Sequence, residues 1–460
     1  MREEFKQYFI KLLGNENAYF DQIHKIAYSY DATKNHYLPD GVLFPKNEED
    51  ISNILKFCND KGIIIVPRGA GTGMSGGSLA VNGGLILAFE KHMNKILEID
   101  LDNLVAIVQP GVINMHLQKE VAKYGLFYPP DPASMEHSSL GGNVSENAGG
   151  MRATKYGITK DYVLALRAVL PNGEIISAGK RTVKDVAGYN LAGILIASEG
   201  SLAVFSELTL KLIALPKFKK TAMGIFSSVK SAMNAVFKTL ASGVTPTSME
   251  FLDNLSILAV EHKFNTGLPI NAGAILIVEV DGNLQESIDE DLKIIKHYFL
   301  EENASEFKIA KSEQEAKDIW FARKNCSQSI AMYGNLKLNE DITVPRSKLP
   351  DLLEGINEIS KKYGFKIPCF GHAGDGNVHT NVMIKDKNDQ DQVKKGHLAV
   401  EEIFKLTIKL GGTLSGEHGI GISKASFMNL AFSNAEMNLM RNIKKAFDPN
   451  NILNPFKMGL

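Results

Sequence analysis

The sequence predicts an α+β protein built from two domains, and three observations carry this prediction. Between Thr221 and Asn303, strand patterns alternate with amphipathic helix patterns, which is typical of helices on one face of an antiparallel sheet. In the preceding part of the chain, glycine-rich loops lie between predicted strands. A basic stretch, PKFKK, begins at Pro216 and separates the two parts. We therefore expect an N-terminal helical segment over 1–36, a first domain over 37–216 and a second over 217–460.

The sequence of the first domain predicts a series of short helices and strands. Glu48–Asn59 has the apolar spacing of a helix, and Gly62 should end it. The apolar run GIIIVP that follows predicts a buried strand, and three further strands and a helix over Met115–Lys123 come next. Around residue 172, a Pro-Asn-Gly turn between two apolar runs predicts a two-strand unit.

Composition and charge exclude several classes of protein. The 460 residues are 44% apolar and 22% charged with a net charge of −1, which favours a soluble globular protein and argues against a nucleic-acid partner. The three cysteines, Cys58, Cys326 and Cys369, form no CxxC pair, which predicts a cytoplasmic protein without an iron–sulfur cluster in this chain. No run reaches about 18 apolar residues, so no span of a bilayer is predicted, while peripheral contact with a membrane stays open.

The stretch from Arg68 to Gly84, RGAGTGMSGGSLAVNGG, predicts a phosphate-binding loop. Its small residues leave backbone N–H groups unobstructed, and such nests bind phosphate oxygens. A Rossmann fingerprint with Glu90 as the ribose-binding acid is the competing interpretation. It fails because Met74 stands where the third glycine belongs and because a strand, not a helix, follows. A long surface loop is the simpler alternative.

A second cluster of glycine, asparagine and serine covers Ser138–Gly157. It contains almost no residues that could form a core. Something else must order it, and a large cofactor is the candidate.

The segment CFGHAGDGNVHTNV, from Cys369 to Val382, predicts a divalent-metal site. His372 and His379 flank a Gly-Asp-Gly turn, so the two imidazoles can be aimed into one space. A third ligand is needed, and Glu417 and His418 lie in a glycine-rich loop downstream. A hydrogen-bonded histidine pair in an ordinary turn is the alternative.

The order of these motifs resembles that of one flavoprotein family. The chain is similar to the family that includes vanillyl-alcohol oxidase, and within it to the FAD-linked D-2-hydroxy-acid dehydrogenases, a branch with D-lactate dehydrogenases and the flavoprotein subunit of glycolate oxidase. The resemblance covers nearly the whole chain. It rests on seven segments in order: PRGAGTGMSGG, PPDPASMEHSSLGGNVSENAGGMRATKYG, GYNLAGILIASEGSLAVFSELTLKL, WFARKN, GHAGDGNVHTNVM, SGEHGIG and DPNNILNPFKM.

The resemblance implies FAD in a PCMH-type first domain and a C-terminal α+β cap domain whose last part, from about residue 412, returns to the flavin. The loop that would hold the pyrophosphate contains no His or Cys, so we expect non-covalent FAD. The implied cofactor-binding residues are Pro67, Arg68, Gly69, Ala70, Gly71, Thr72, Gly73, Met74, Ser75, Pro130, Asp131, Ser138, Gly141, Gly142, Asn143, Asn147, Gly149, Gly150, Glu199, Gly200, Val204 and Asn454.

For the second domain, the resemblance implies a Zn, Mn or Fe ion held by His372, His379 and Glu417. His418 would be the base that removes the substrate hydroxyl proton. Three further residues would serve the substrate: Arg323 and Lys337 at its carboxylate, and Asn381 at the substrate or the metal. From the residues alone, Arg323 on a helix face is also compatible with a surface ion pair.

The implied activity is oxidation of a D-2-hydroxy acid, glycolate or D-lactate, to the 2-oxo acid. The electrons would pass to a separate iron–sulfur subunit, a quinone, a cytochrome or an electron-transfer flavoprotein. Two alternatives stay open: a non-redox, ether-forming flavoenzyme of the same fold, and a flavin-binding accessory subunit without turnover. The retained His372, His379, Glu417 and His418 argue against the accessory subunit.

Overall fold

The structure is a computed structural model that describes all residues from 1 to 460. It divides into two compact units, and the predicted α+β fold class is confirmed. Unit 1 contains Met1–Gly150, Ile158–Leu215 and Glu417–Leu460, and unit 2 contains Met151–Gly157 and Pro216–Gly416. None of the helices combines the length and the apolar character needed to cross a bilayer.

The strands of unit 1 form three sheets with the orders β1-β2-β4-β3, β5-β6-β10-β8-β9 and β11-β7. The strands are β1 Ala18–Tyr19, β2 Gly41–Leu43, β3 Ile65–Arg68, β4 Leu85–Ala88, β5 Ile96–Asp100, β6 Val105–Val108, β7 Leu126–Phe127, β8 Val163–Val169, β9 Ile175–Gly179, β10 Val204–Lys211 and β11 Ile213–Ala214.

The helices of unit 1 are short apart from three. They are α1 Glu3–Leu13, α2 Gln22–Ala27, α3 Glu48–Lys61, α4 Asn114–Ala122, α5 Leu140–Glu146, α7 Leu191–Leu195, α14 Met428–Ala431 and α15 Asn434–Phe447, while α6 Ala153–Tyr156 belongs to unit 2.

Helix α3 shows how local sequence sets these boundaries. The side chain of Asn47 accepts a hydrogen bond from the amide of Asp50, which caps the start of the helix. Gly62 ends it in the left-handed conformation, with φ of 65°. The buried face of the helix, with Ile51 and Ile54, packs in the core around the β1-β2-β4-β3 sheet.

The C-terminal segment completes the first sheet of unit 1. The Ile65 amide on β3 donates to the carbonyl of Ile452 at 2.8 Å, and the Asn454 amide donates to the carbonyl of Ile65 at 2.7 Å. Since β3 is an edge strand of its sheet, the last residues of the chain cover that edge.

Unit 2 is built on one antiparallel sheet of seven strands in the order β15-β12-β14-β13-β17-β18-β16. The strands are β12 Phe218–Phe226, β13 Ser248–Asp253, β14 Ala274–Gly282, β15 Glu306–Ile309, β16 Leu336–Thr343, β17 Cys369–His372 and β18 Asn377–Ile384. The helices are α8 Val229–Ala241, α9 Asn254–Phe264, α10 Gln285–Glu301, α11 Glu313–Ser329, α12 Leu349–Tyr363 and α13 Gln390–Lys409.

Candidate functional site

Unit 1 contains a long groove with a cavity volume of about 1210 Å³, counting space open to solvent. Three stretches form most of its wall: the loop after β3, the region of α5, and the segment that leads into β10. Among the residues implied by the resemblance, those on its wall are Pro67, Arg68, Gly69, Ala70, Gly71, Thr72, Gly73, Met74, Ser138, Gly141, Gly142, Asn143, Gly149, Glu199, Gly200 and Val204.

Six implied residues do not line the groove: Ser75, Pro130, Asp131, Asn147, Gly150 and Asn454. Two of them hold the groove's loops in place. The side-chain amide of Asn454 donates to the carbonyls of Gly77 and Glu199, at 2.9 and 2.6 Å. The amide of Lys160 donates to the side chain of Asn147 at 2.9 Å. We infer that these two residues support the wall rather than form it.

The loop after β3 wraps around the side chain of Arg68. The guanidinium donates to the carbonyl of Tyr30 at 2.7 Å and to the Ser78 hydroxyl at 3.3 Å. Gly71 has a φ of 71°, and a Cβ there would lie 2.1 Å from Arg68 Nη2. Only glycine fits this position, which keeps the backbone of the loop close to the groove.

Helix α5 was not predicted. The structure forms it because Leu140 and Val144, four residues apart, are buried on one side and the Ser139 side chain accepts from the Gly142 amide. The helix carries Asn143 and Glu146 to the groove wall.

The polar groups of the groove fit a large polar cofactor. The Ser138 hydroxyl, the Asn143 side-chain amide nitrogen and Oε2 of Glu146 are buried and have no hydrogen-bond partner in the protein. Buried polar groups are nearly always satisfied, so these three point to a ligand with hydroxyl, phosphate or ring polar atoms. FAD supplies such atoms along its whole length.

Glu146 and Glu199 place two carboxyl groups on the groove wall. Burial, and then the charge of Glu199, raise the pKa of Glu146 well above its ordinary value. Burial also raises the pKa of Glu199, although the amides of Gly421 and Ile420 lower it in part. The same loop brings Glu417 and His418 to the groove wall, with Glu417 Oε1 and His418 Nε2 3.8 Å apart.

Unit 2 contains a second cluster of polar side chains on neighbouring strands. The rings of His372 and His379 are perpendicular with their centroids 5.3 Å apart, and each ring has a nitrogen within 4.8 Å of one in the other. His372 ends β17 and His379 lies on β18, so the predicted turn between them brings both rings to one place. Both side chains are buried.

Two buried carboxylates flank the histidines. Glu250 on β13 lies opposite His372, and Asp341 on β16 lies opposite His379. Glu250 Oε1 is 2.6 Å from His372 Nδ1, and a carboxylate oxygen of Asp341 lies within 4.8 Å of a ring nitrogen of His379. Imidazoles and carboxylates at such distances are the ligand types that hold a divalent metal, so unit 2 offers candidate ligands for one.

Asp341 also holds the chain that leads to Glu417. It accepts hydrogen bonds from the Ser415 hydroxyl at 2.8 Å and from the Gly416 amide at 3.0 Å. Glu417 is the next residue in the sequence.

Of the two cations predicted from the sequence to bind the substrate carboxylate, Arg323 is itself held by a carboxylate. Arg323 on α11 is buried, donates from Nε to Glu250 Oε2 at 2.7 Å and lies over the ring of Phe370 at 5.0 Å. Lys337 donates to the hydroxyl of Ser327 at 2.9 Å, four residues along α11 from Arg323.

Asn381 is fully buried in the same sheet. Its side-chain amide donates to the carbonyls of Pro368 and His379, each at 3.2 Å, and its oxygen accepts from Asn339 at 2.7 Å. These bonds fix the strand that carries His379.

Three residues of these two regions were not predicted from the sequence: Glu146, Glu250 and Asp341. For Glu250 a signal existed, since a carboxylate stands inside the apolar strand SMEFLD. An ionised group in a strand buried on both faces needs a specific partner.

Comparison with known proteins identifies a family for each part of the chain. Residues 39–179 match a family described as "FAD binding domain", and residues 215–458 match "FAD linked oxidases, C-terminal domain". The chain is 41% identical to the glycolate oxidase subunit GlcD of Bacillus subtilis, covering 99% of this chain and 97% of that protein. It is 33% identical to a D-lactate dehydrogenase of Anaerostipes hadrus, covering 91% and 89% of the two chains.

Solved structures share the fold at low sequence identity. The p-cresol methylhydroxylase structure with substrate bound has a TM-score of 0.82 at 18% identity, covering 100% of this chain and 98% of that one. An alkyldihydroxyacetonephosphate synthase has a TM-score of 0.77 at 19% identity, covering 99% and 85%.

The fold is thus of the vanillyl-alcohol oxidase type, and the match to the FAD binding domain family defines the chain as a flavoprotein. The chain belongs to the FAD-linked oxidase family, so it is an FAD-dependent oxidoreductase.

Proposed function

We propose that this protein oxidises a small D-2-hydroxy acid, glycolate or D-lactate, to the corresponding 2-oxo acid. The observation that carries the proposal is the buried row of Arg323, Glu250 and His372 beside His379. In such a row, a cation for the substrate carboxylate would stand next to imidazoles for a metal ion, as a chelating hydroxy acid requires. Relatives named glycolate oxidase subunit and D-lactate dehydrogenase support the same substrate class.

Arg323 is the proposed partner of the substrate carboxylate. Its Nε is engaged by Glu250, which leaves the two terminal nitrogens of the guanidinium for a ligand. Those nitrogens match the two oxygens of a carboxylate. Lys337 is the proposed second cation at the same carboxylate.

His372, His379 and Glu417 are the proposed ligands of a Zn, Mn or Fe ion. When bound, such an ion would lower the pKa of the substrate hydroxyl by withdrawing charge from its oxygen. Asn381 holds the backbone of His379 and so supports this ligand set.

His418 is the proposed general base. An imidazole needs little adjustment of its pKa to accept a proton near neutral pH. His418 would take the proton of the substrate hydroxyl. FAD, when bound in the groove of unit 1, would accept the two electrons and the α-hydrogen as hydride.

We propose that the electrons then leave to an acceptor other than NAD: an iron–sulfur subunit, a quinone, a cytochrome or an electron-transfer flavoprotein. All three cysteines of the chain are buried and free. Burial raises the pKa of each thiol, which disfavours the thiolate form that a cluster requires.

Anaerobic bleaching of the flavin absorbance by glycolate, D-lactate, L-lactate and D-2-hydroxyglutarate tests the proposal. Each acid is added to the holoprotein with and without a chelator. We expect bleaching by glycolate or D-lactate, its loss with chelator and its recovery with metal. Bleaching that is indifferent to chelator would remove the metal from the reaction. An absence of bleaching by every acid would overturn the proposal and favour the ether-forming or accessory alternatives.

A further inference from the structure

We propose that Glu250 is a positioning residue that ties metal ligation by His372 to carboxylate binding by Arg323. The inference rests on the proposed function and adds a residue that contacts neither the substrate nor the ion. It depends only on side chains of unit 2.

Each oxygen of the Glu250 carboxylate bonds to a different side chain, one to His372 and the other to Arg323. Oε1 lies 2.6 Å from His372 Nδ1, and Oε2 accepts from Arg323 Nε at 2.7 Å. The side chain is 0% exposed, so both bonds form away from water. A carboxylate buried to this degree is retained only where its partners satisfy it, and here the partners are the two functional groups themselves.

The bond to His372 fixes the tautomer of the imidazole. An ionised carboxylate has no hydrogen to donate, so in the neutral ring Nδ1 must carry the hydrogen of this bond. Nε2 is then left with its lone pair, which is the form that binds a metal. A carboxylate behind a metal-binding histidine commonly plays this part.

The bond to Arg323 fixes the direction of the guanidinium. Nε is held by Glu250, and the planar group lies over the ring of Phe370 at 5.0 Å. Rotation about the last bonds of the side chain would break one contact or the other. The terminal nitrogens are therefore held in one orientation before a ligand arrives.

Glu250→Gln separates the two tasks while keeping the size of the side chain. Glutamine has one accepting oxygen, and its nitrogen can only donate. If the oxygen accepts from Arg323 Nε, the nitrogen faces His372 Nδ1 and selects the tautomer that cannot bind metal through Nε2. If the oxygen turns to His372, the nitrogen of the glutamine faces Arg323 Nε, and both of these groups are donors.

The experiment compares the holoproteins of wild type, Glu250→Gln and Glu279→Gln. Glu279 lies on β14, the neighbouring strand, and its neutralisation provides the matched control. The readouts are the dissociation constant of Zn²⁺ or Mn²⁺ against a competing chelator, KM for glycolate and D-lactate, and FAD content. For Glu250→Gln we expect metal affinity to fall about 10- to 100-fold or KM to rise by a similar factor, with FAD content unchanged. Glu279→Gln should match wild type.

A second measurement needs no change at Glu250. Long-range proton–nitrogen NMR of the histidine rings in the metal-free protein reports the tautomer, with His372→Gln assigning the signal. A neutral His372 ring with its hydrogen on Nδ1 supports the proposal, and hydrogen on Nε2 overturns it. Suppose that wild type binds metal and is reduced by a hydroxy acid, while Glu250→Gln has the same metal affinity and KM as the control. The role of Glu250 would then be refuted and the proposed function would stand. If wild type neither binds metal nor is reduced by a hydroxy acid, the proposed function itself is refuted.

Discussion

Glu199 accepts the amide hydrogen of Gly421 with both oxygens of its carboxylate, at 3.0 Å for Oε1 and 2.8 Å for Oε2. Oε1 also accepts from the amide of Ile420 at 2.7 Å. These amides follow His418 by two and three residues in the same loop. A residue that the family resemblance assigns to the cofactor thus also holds the loop of the proposed base.

Glu199→Gln should therefore slow flavin reduction more than it weakens FAD binding. The variant loses one accepting oxygen, and a hydrogen bond to a charged group contributes about 1.5–3 kcal/mol. We expect reduction by the hydroxy acid to slow about tenfold or more. Stopped-flow absorbance gives the rate, FAD titration of apoprotein gives the affinity, and Glu98→Gln on β5 is the control. A fall in FAD affinity as large as the fall in rate would contradict the assignment.

His418→Ala should leave FAD bound and slow its reduction about 10²–10⁴-fold, because a general base contributes a factor of that size. Anaerobic single-turnover reduction measures this directly. His116→Ala, in the same unit on α4, is the control for loss of an imidazole. Reduction at the wild-type rate would remove His418 from the role.

Gly73→Ala and Gly150→Ala should separate cofactor binding from folding. A Cβ at Gly73 meets no protein atom closer than Glu146 Oε1 at 4.0 Å, whereas one at Gly150 lies 2.4 Å from the backbone oxygen of Asp131. We expect Gly73→Ala to weaken FAD binding about tenfold, near 1.4 kcal/mol, without destabilising the apoprotein. Gly150→Ala should destabilise the apoprotein by about 1–3 kcal/mol.

Thermal unfolding of the apoproteins and titration with FAD distinguish the two effects. Normal FAD affinity in Gly73→Ala would show that the loop backbone does not approach the cofactor.

FAD should leave the protein on acid precipitation. The glycine loop from Arg68 to Ser75 holds no His or Cys that could form a bond to the flavin. Absorbance of the supernatant and pellet after precipitation measures the partition. Yellow colour that stays with washed, precipitated protein would contradict the prediction.

Lys457 should make stability rise with pH in the alkaline range. It is 2% exposed, and burial lowers its pKa from 10.5 to about 8, against the opposing charges of Glu199, Asp31 and Glu146. Below the folded-state pKa, both states carry the proton and the cost of burying the charge is fully present. Between the two pKa values the folded state releases the proton first, so the free energy of unfolding increases with pH by up to about 3 kcal/mol.

Denaturant unfolding of wild type and Lys457→Met from about pH 7 to about pH 10 isolates this contribution. The difference in unfolding free energy, wild type minus variant, should grow with pH. Lys445→Met, which removes an exposed lysine from α15, should show no such trend. A constant difference for Lys457→Met would contradict the prediction.

The fold of unit 2 could be predicted because its signals are local. Strand β14 begins with a continuous apolar run and helix α10 repeats its apolar residues at the helical period, so the sequence indicated both elements directly. Helix α5 escaped prediction because glycine, serine and asparagine have low helix propensity. Only Leu140 and Val144, four residues apart, signalled it.

The same difference between local and long-range signals decides which residues of the candidate sites could be predicted. His372 and His379 share one hairpin, so their approach follows from the sequence between them. Glu250 lies far away in the sequence, and its place opposite His372 depends on which strands pair in the sheet. Strand order is set by long-range packing, which neither period nor spacing reveals.

The bond between β3 and the C-terminal segment has a consequence for how the protein is made. The edge of β3 emerges from the ribosome long before the residues that cover it, around Ile452 and Asn454. Until then the nascent chain carries an unprotected sheet edge, which is a site of aggregation and of chaperone capture. Unit 1 can therefore reach its final form only after residues 452–454 have been synthesised, and unit 2, whose sheet is complete earlier in the chain, is positioned to fold before it.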